Sequence, residues 1–123
     1  MVAHDAGTGR LKAAIEDLLN HRRLSVEDAM SRHFDPAFRQ RTNGVWETYA
    51  QAGQRITGLR AVLDHATLAV LDEHVSLDRY AQRHRIVLAM RDGSRLDIEV
   101  FVFARLAADG RFLQIDEMTC ESA

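Results

Sequence analysis

The sequence has little cysteine, little excess charge and no long apolar run. Its single cysteine, Cys120, cannot form an internal disulfide, which is typical of a reducing compartment, so we expect a cytoplasmic protein. The formal net charge of -2 is spread along the chain, without the basic block that binding to nucleic acid or to an anionic membrane requires. No segment approaches the ~20 apolar residues of a membrane span. We therefore expect neither a nucleic-acid partner nor a membrane partner.

Length and composition are those of one globular domain. The chain has 123 residues, of which 46% are hydrophobic and 28% are charged. The first residues contain glycine at positions 7 and 9 and have no apolar period, which predicts a disordered leader over residues 1–8. We predict a single domain over residues 9–120.

Three segments repeat apolar residues at the spacing of an amphipathic helix. The predicted helices span residues 8–23, 26–35 and 46–63. Trp46 and Tyr49 make the third helix the one with the largest aromatic content. A short edge strand is predicted over residues 37–42, and Asn43-Gly44 after it is either a turn or the cap of the third helix.

Beyond residue 64 the pattern changes to that of strands, rich in Ile, Val and Phe. The predicted strands span residues 65–75, 80–90, 96–106 and 112–119. Asp92-Gly93 and Asp109-Gly110 are hairpin signals, so the last three strands should form an antiparallel meander. Helices followed by a meander predict an α+β fold.

Two-residue turns at both hairpins assign the strands to faces. They pair Arg83 with Val102, Arg85 with Val100, and Val102 with Glu117, so these side chains share one face. The opposite face then carries apolar and polar residues together: Tyr80, His84, Ile86, Leu88, Glu99, Phe101, Phe103, Phe112 and Asp116. Because both faces contain apolar residues, both must be covered, and we predict a homodimer through this second face. A one-residue bulge in either turn would reverse the assignment.

Four segments carry a resemblance to a known family: HFDPAFRQRTNG, DRYAQRHRIVLAMRDG, EVFVFA and DGRFLQIDEMT. With the order of helices and meander, they resemble the nuclear transport factor 2-like superfamily, and within it the SnoaL-like proteins, from about Leu11 to Thr119. The resemblance implies a cone-shaped, cystatin-like roll, in which three N-terminal helices pack in the concave face of a strongly curved antiparallel sheet. It also implies a cavity between helices and sheet, with functions that range from isomerases, polyketide cyclases, dehydratases and epoxide hydrolases to plain binding domains.

The resemblance places Ile115, Glu117 and Thr119 on the cavity face, and the predicted pairing adds Arg83. In that position Glu117 would act as a base and Arg83 would bind an oxyanion or carboxylate. The structural alternative is a buried ion pair that closes the cone. The predicted ligand-binding residues are Trp46, Tyr49, Arg85, Val102, Ile115 and Thr119. For Trp46 and Tyr49 the alternative is a place in the core.

Two kinds of site are not expected. The chain departs from the ketosteroid isomerase pattern, because Asp17 or a neighbour stands where that branch has a helix-one tyrosine, Gln40 or Arg41 where it has the base, and Val102 where it has a sheet aspartate. The six histidines lack ligand spacing, so we predict no metal and no other cofactor.

Two functional hypotheses follow. The first is a small-molecule pocket protein of SnoaL-like type that acts as an isomerase, cyclase or hydrolase on a hydrophobic substrate through Glu117 and Arg83. The second is a noncatalytic dimeric module that binds a ligand or a protein.

Overall fold

In the computed structural model, which describes residues 8–121, three helices pack on the inner face of a curved, unclosed six-stranded sheet. The helices are α1 (Arg10–Leu19), α2 (Val26–His33) and α3 (Tyr49–Val62). The strands are β1 (Phe34–Thr42), β2 (Val45–Thr48), β3 (Leu63–Ser76), β4 (Arg79–Met90), β5 (Arg95–Leu106) and β6 (Phe112–Glu121). The predicted α+β class is confirmed. Of the predicted disordered leader, residues 1–7 lie outside the described residues.

The sheet runs in the order β2-β1-β6-β5-β4-β3. β1 contains the predicted edge strand over residues 37–42, and β2 is one strand more than predicted. β1 and β2 precede α3, so only α1 and α2 come before the first strand. Neighbouring strands are antiparallel except β1 and β6, which are parallel. A parallel pair needs a long crossover connection, and here most of the domain lies between the two strands. None of the helices within residues 8–121 has the length and apolar character needed to cross a membrane.

The third helix begins later than predicted because the segment before it forms a hairpin. Asn43 and Gly44 have φ angles of 51° and 86°, as a two-residue type I′ turn between antiparallel strands requires. The turn pairs β2 with β1. The hydroxyl of Thr48 then accepts a hydrogen bond from the backbone N–H of Gln51 (3.2 Å), and the Gln51 side chain accepts one from Thr48 N–H (2.8 Å). This capping box starts α3 at Tyr49, so the prediction that Trp46 lies on the helix is wrong.

The hairpin between β4 and β5 contains one residue more than predicted. Arg91, Asp92 and Gly93 form the turn, closed by a bond from Met90 N–H to the Ser94 carbonyl (2.8 Å), and Gly93 takes the left-handed conformation (φ 89°). A turn of this length shifts the register by one residue. Every predicted pairing between β4 and β5 is therefore wrong by one position, and β4 turns its other face to the helices.

The hairpin between β5 and β6 has the same kind of turn but keeps the predicted register. Ala107 N–H donates to the Arg111 carbonyl (2.7 Å), and Gly110 is left-handed (φ 88°). A bulge next to the turn, between Arg105 and Leu106, then shifts the pairing back by one residue. The predicted pair of Val102 with Glu117 is confirmed.

The hydrophobic core lies between the helices and the inner face of the sheet. Phe34 stacks near Phe38 and Phe112 (centroids 4.6 and 5.8 Å apart), and Tyr80 meets the Phe112 ring edge to face (5.5 Å). Aromatic groups in this geometry contribute beyond the area they bury. These four rings therefore fill one part of the space between the helices and the sheet.

Candidate functional site

The inner face of β1 and β6 carries a carboxyl group that is anchored at one oxygen. Oε1 of Glu117 accepts hydrogen bonds from Gln40 Nε2 (3.2 Å) and from the Thr42 hydroxyl (3.3 Å). The parallel pairing of β1 with β6 sets Thr42 beside Glu117. Within residues 8–121 no hydrogen bond reaches Oε2, and no fully buried side-chain oxygen or nitrogen in that range lacks a partner. Oε2 is therefore open to a ligand or to water.

The surroundings of Glu117 raise the pKa of its carboxyl group above the ordinary value. Burial raises the pKa of Glu117, while the charge of Arg55 and the hydrogen bonds from Thr42 and Gln40 oppose the rise. Glu47 adds to the rise by its negative charge. The net direction is upward, so the protonated carboxylic acid of Glu117 is favoured more in the folded chain than in water.

An ion pair between β2 and α3 lies close enough to influence this carboxyl. Arg55 binds Glu47 through Nη2 (2.6 Å to Oε1) and through Nε (3.0 and 3.1 Å). Glu47 pairs with Gln40 across the β1–β2 hairpin, so it shares the inner face with Glu117. Since Glu47 already occupies the guanidinium, Arg55 lowers the pKa of Glu117 only through space, not by direct pairing.

Val102, Ile115 and Thr119 lie near Glu117 on the inner face. Val102 faces Glu117 across β5 and β6, and both Val102 and Ile115 are buried in the core. Thr119 is partly buried, and its hydroxyl accepts a bond from Asn43 Nδ2 (2.8 Å). The carboxyl group thus has an apolar wall on one side and a hydrogen-bonded turn on the other.

The structure separates Arg83 from Glu117. Because of the shifted β4–β5 register, Arg83 lies opposite Phe101 on the outer face and binds Asp72 (2.8 Å) and Glu99 (3.0 Å). The predicted pairing of Arg83 with Glu117 across a cavity is wrong. Arg85 is on the same outer face, paired with Asp97 (2.6 Å), so its predicted place in the cavity wall is wrong as well.

The predicted aromatic pair of helix three is divided between two elements. Trp46, on β2, is 44% exposed and lies under the guanidinium groups of Arg39 (4.4 Å) and Arg41 (5.5 Å). It pairs with Arg41 and faces the outer side of the sheet. Tyr49, the first residue of α3, packs against the core and lines a groove between α2 and α3 with Met30. The two rings therefore do not form one stacking surface.

His84 also lies on the face opposite to the predicted one. The same register shift moves it from the outer face to the inner face, opposite Val100, where it is 2% exposed. The predicted place of His84 on the dimer face, beside Glu99, is therefore wrong. His84 on β4 therefore shares the inner face with Glu117 on β6.

Comparison with known proteins gives a likeness of fold. No family model matches the chain, and no curated protein sequence matches it. An NTF2-like protein of unknown function from Exiguobacterium sp. 255-15 superposes with a TM-score of 0.73 over 92% of this chain and 99% of that one, at 16% identity. A proposed SnoaL-like polyketide cyclase from Jannaschia sp. CCS1 gives a TM-score of 0.70 over 97% of this chain and 88% of that one, at 15% identity.

A third similar structure is described as having a ketosteroid isomerase-like fold. It is a hypothetical protein from Catenulispora acidiphila in complex with trimethylamine, with a TM-score of 0.70 over 89% of this chain and 84% of that one, at 7% identity. The chain has the NTF2-like fold. At these identities the likeness establishes the architecture and leaves the chemistry to the residues of this chain.

Within this NTF2-like fold, sequence reasoning found Glu117 and missed its partners. These partners are Gln40, Thr42, Glu47 and Arg55, which come from β1, β2 and α3. The sequence does not show that β2 and α3 meet β1 at Glu117. A signal was present in the alternation of Phe38, Gln40 and Thr42, which puts all three on one face of a strand. Reading residues 37–42 as an isolated edge strand hid it.

The arrangement can carry out proton transfer without a metal ligand set of its own. Within residues 8–121 no group of three or more His, Cys, Asp or Glu side chains is arranged to hold a metal ion. What the site offers is a carboxyl group with one free oxygen beside apolar side chains. A carboxyl group with a free oxygen is the kind of group that can exchange a proton with a polar atom placed beside it.

Proposed function

We propose that the chain is a small-molecule pocket protein of SnoaL-like type, acting on a hydrophobic substrate as an isomerase, cyclase or hydrolase through Glu117. The observation that carries the proposal is the asymmetry of this carboxyl group, with Oε1 anchored by Gln40 and Thr42 and Oε2 left open. Anchoring fixes the position of the reactive oxygen, and burial raises the pKa of the group. Arg83 has no part in this mechanism, because it lies on the outer face.

The replacement Glu117→Gln should abolish turnover while the fold is kept. Glutamine keeps an oxygen for Gln40 and Thr42 to bind but cannot exchange a proton, so kcat should fall about 100-fold or more. Wild type and variant are incubated with cyclic ketones, epoxides and polyketide-like compounds, and products are followed by mass spectrometry. Arg85→Met is the matched control, since it removes a charged group from the outer face.

Retained turnover in Glu117→Gln, with a native circular dichroism spectrum, would contradict this assignment. Binding of a compound without turnover by the wild type would favour the noncatalytic module. The second result separates the two hypotheses, because an enzyme must show a rate and a binding module requires only a complex.

We also propose a homodimer formed through the outer face of the sheet. Three large apolar side chains on β5 and β6 are exposed there: Phe101 (42%), Phe103 (70%) and Met118 (66%). Ion pairs flank them, including Arg41 with Asp116 (2.6 Å). An apolar centre with a rim carrying both signs of charge is self-complementary, as a two-fold interface requires.

Replacing Phe103 with glutamate should convert the dimer to a monomer. Two like charges at the centre of a two-fold interface repel each other and lose the apolar contact. Sedimentation velocity at micromolar concentration would show the change, with Val45→Glu as the control because Val45 lies exposed on the edge strand β2. A wild type that sediments as a monomer at these concentrations would refute the dimer.

A further inference from the structure

The hydrogen bonds around Glu117 leave one role for a ligand, that of a donor. Gln40 Nε2 has two hydrogens, and it donates to Glu117 Oε1 (3.2 Å) and to the Thr42 hydroxyl (3.0 Å). The Thr42 hydroxyl donates its own hydrogen to the same Oε1 (3.3 Å). Both neighbouring side chains have therefore used all their hydrogens. The atom left open beside them is Oε2, and an ionised carboxylate oxygen can only accept a hydrogen bond.

The charges near Glu117 leave this carboxylate without a direct partner of opposite sign. Arg55 is the cation whose charge acts on Glu117, but its Nε and Nη2 atoms bind the Glu47 carboxylate. Glu47 and Glu117, when ionised, carry two negative charges against the single positive charge of Arg55. The surplus is negative, so the electrostatic potential of the site favours a cationic ligand and opposes a carboxylate or phosphate.

Burial strengthens the preference for a cation. Loss of water around the ionised carboxylate is the main cause of the raised pKa of Glu117. An ammonium group at Oε2 supplies the missing opposite charge and offsets this cost, and its N–H group makes a charge-assisted hydrogen bond. A ketone binds only the protonated acid, and it gains no attraction between opposite charges.

The surface beside the carboxyl group suits the apolar part of such a ligand. Val102 lies opposite Glu117 on β5, and Ile115 precedes it on the same face of β6. Toward the N-terminal end of β5 the inner face continues with Ile98, which is partly buried against the core. A ligand held at Oε2 therefore has apolar side chains along β5 next to it.

We propose that the substrate of this site is a hydrophobic amine, whose protonated nitrogen donates a hydrogen bond to Glu117 Oε2. This inference rests on the proposed function and names the substrate class for the same site. Glu117 is the residue that contacts the amine. Glu47 is a positioning residue, because it acts by holding Arg55 away from Glu117.

The test compares four compounds that share one ring and differ in the polar group. Cyclohexylmethylamine is a cationic donor, cyclohexylmethanol a neutral donor, cyclohexyl methyl ketone a neutral acceptor and cyclohexanecarboxylate an anion. Isothermal titration calorimetry at neutral pH gives Kd for each compound with the full chain. We expect the amine to bind about 10-fold more tightly than the alcohol, or more, because a hydrogen bond between charged groups is stronger than a neutral one.

Three variants locate the preference. Glu117→Gln should bind the amine and the alcohol equally. Glu47→Gln should weaken the amine several-fold and leave the alcohol unchanged, because it frees Arg55 to pair with Glu117. Asp97→Asn is the matched control, since it also removes the carboxylate of an arginine pair (2.6 Å to Arg85) but on the outer face. It should leave all four Kd values unchanged.

A preference for the amine that Glu117→Gln removes supports the inference. Equal Kd values for amine and alcohol in the wild type, tighter binding of the ketone or the carboxylate, or no binding of any compound overturns it. A preference kept in Glu117→Gln also overturns it, because the amine then binds elsewhere. If Glu117→Gln fails to fold, the comparison of Glu47→Gln with Asp97→Asn decides.

Failure of the proposed function has a different signature. It shows as absence of turnover by the wild type, or as turnover kept in Glu117→Gln, whatever the order of the four Kd values. A preference for the amine without any turnover would make Glu117 a residue of a binding module and keep the inferred ligand class.

Discussion

Asp17→Asn is expected to lower the free energy of unfolding by about 2 to 3 kcal/mol at neutral pH. Asp17 on α1 accepts hydrogen bonds from His21 Nδ1 (2.5 Å), His33 Nε2 (2.6 Å) and Arg32 Nη1 (3.2 Å), and the last two residues lie on α2. Burial alone would raise the pKa of Asp17, but the three donors outweigh it and lower the pKa to about 2. The difference of nearly two units from the ordinary value of 3.8 corresponds to the expected loss.

The depressed pKa of Asp17 also makes the free energy of unfolding depend on pH in the acid range. A carboxyl with a depressed pKa in the folded state stabilises the fold above its unfolded value of 3.8, and this contribution is lost as the pH falls toward about 2. Urea unfolding of wild type and Asp17→Asn measures both effects. His21→Gln is the control, because the His21 side chain is exposed and its loss should cost less than ~1 kcal/mol. A loss below ~1 kcal/mol in Asp17→Asn itself would show that this cluster does not hold α1 and α2 together.

Replacing His84 with methionine is expected to remove a pH-dependent change of about 3 kcal/mol in the free energy of unfolding. The folded pKa of about 4 lies below the ordinary value of 6.5, so the unfolded chain takes up a proton that the folded chain cannot. His84 therefore lowers stability progressively as the pH falls from 6.5 to about 4, and its full contribution is present above 6.5. Methionine fills a similar volume and does not titrate.

Chemical unfolding of wild type and His84→Met from pH 6.5 to about pH 4 gives the free energy of unfolding of each protein. The difference between the two is the contribution of His84. Glu117 acts in the opposite sense, because its raised pKa makes the folded chain bind protons more strongly as the pH falls. Subtracting the two stability curves cancels Glu117 and the other groups common to both proteins. A difference that stays constant from neutral pH to about pH 4 would show that His84 is not buried as a neutral imidazole.

Helices and long strands were predictable because their hydrophobic period extends over many residues. α1 and β3 through β6 follow that period closely. β1 was predicted only over residues 37–42, because Pro36 interrupts its first part, and β2 was missed because it has only the four residues Val45–Thr48. The helical spacing of Trp46 and Tyr49 is a coincidence across a strand-to-helix junction. Pairing in the hairpin overrode it.

The faces of β4 could not be derived from its own sequence. Both faces carry apolar side chains, so hydrophobic alternation does not choose between them. The choice depends on whether the turn at Asp92-Gly93 has two or three residues, and the dipeptide fits both forms. One residue in that turn exchanges Arg83 for His84 on the inner face. That exchange changes the chemistry assigned to the site.

Thermal stability with and without ligand tests most directly whether the site lies on the inner face at Glu117. Purified wild type is screened against cyclic ketones, epoxides, flavonoid-like compounds and fatty acids, and each hit is repeated on Glu117→Gln and Arg83→Met. A ligand at a hundredfold its Kd stabilises the fold by roughly 2.7 kcal/mol, a visible shift of the midpoint. A ligand site at Glu117 predicts a shift that Glu117→Gln reduces and Arg83→Met preserves. A shift preserved in Glu117→Gln and lost in Arg83→Met would place the ligand on the outer face and contradict the account.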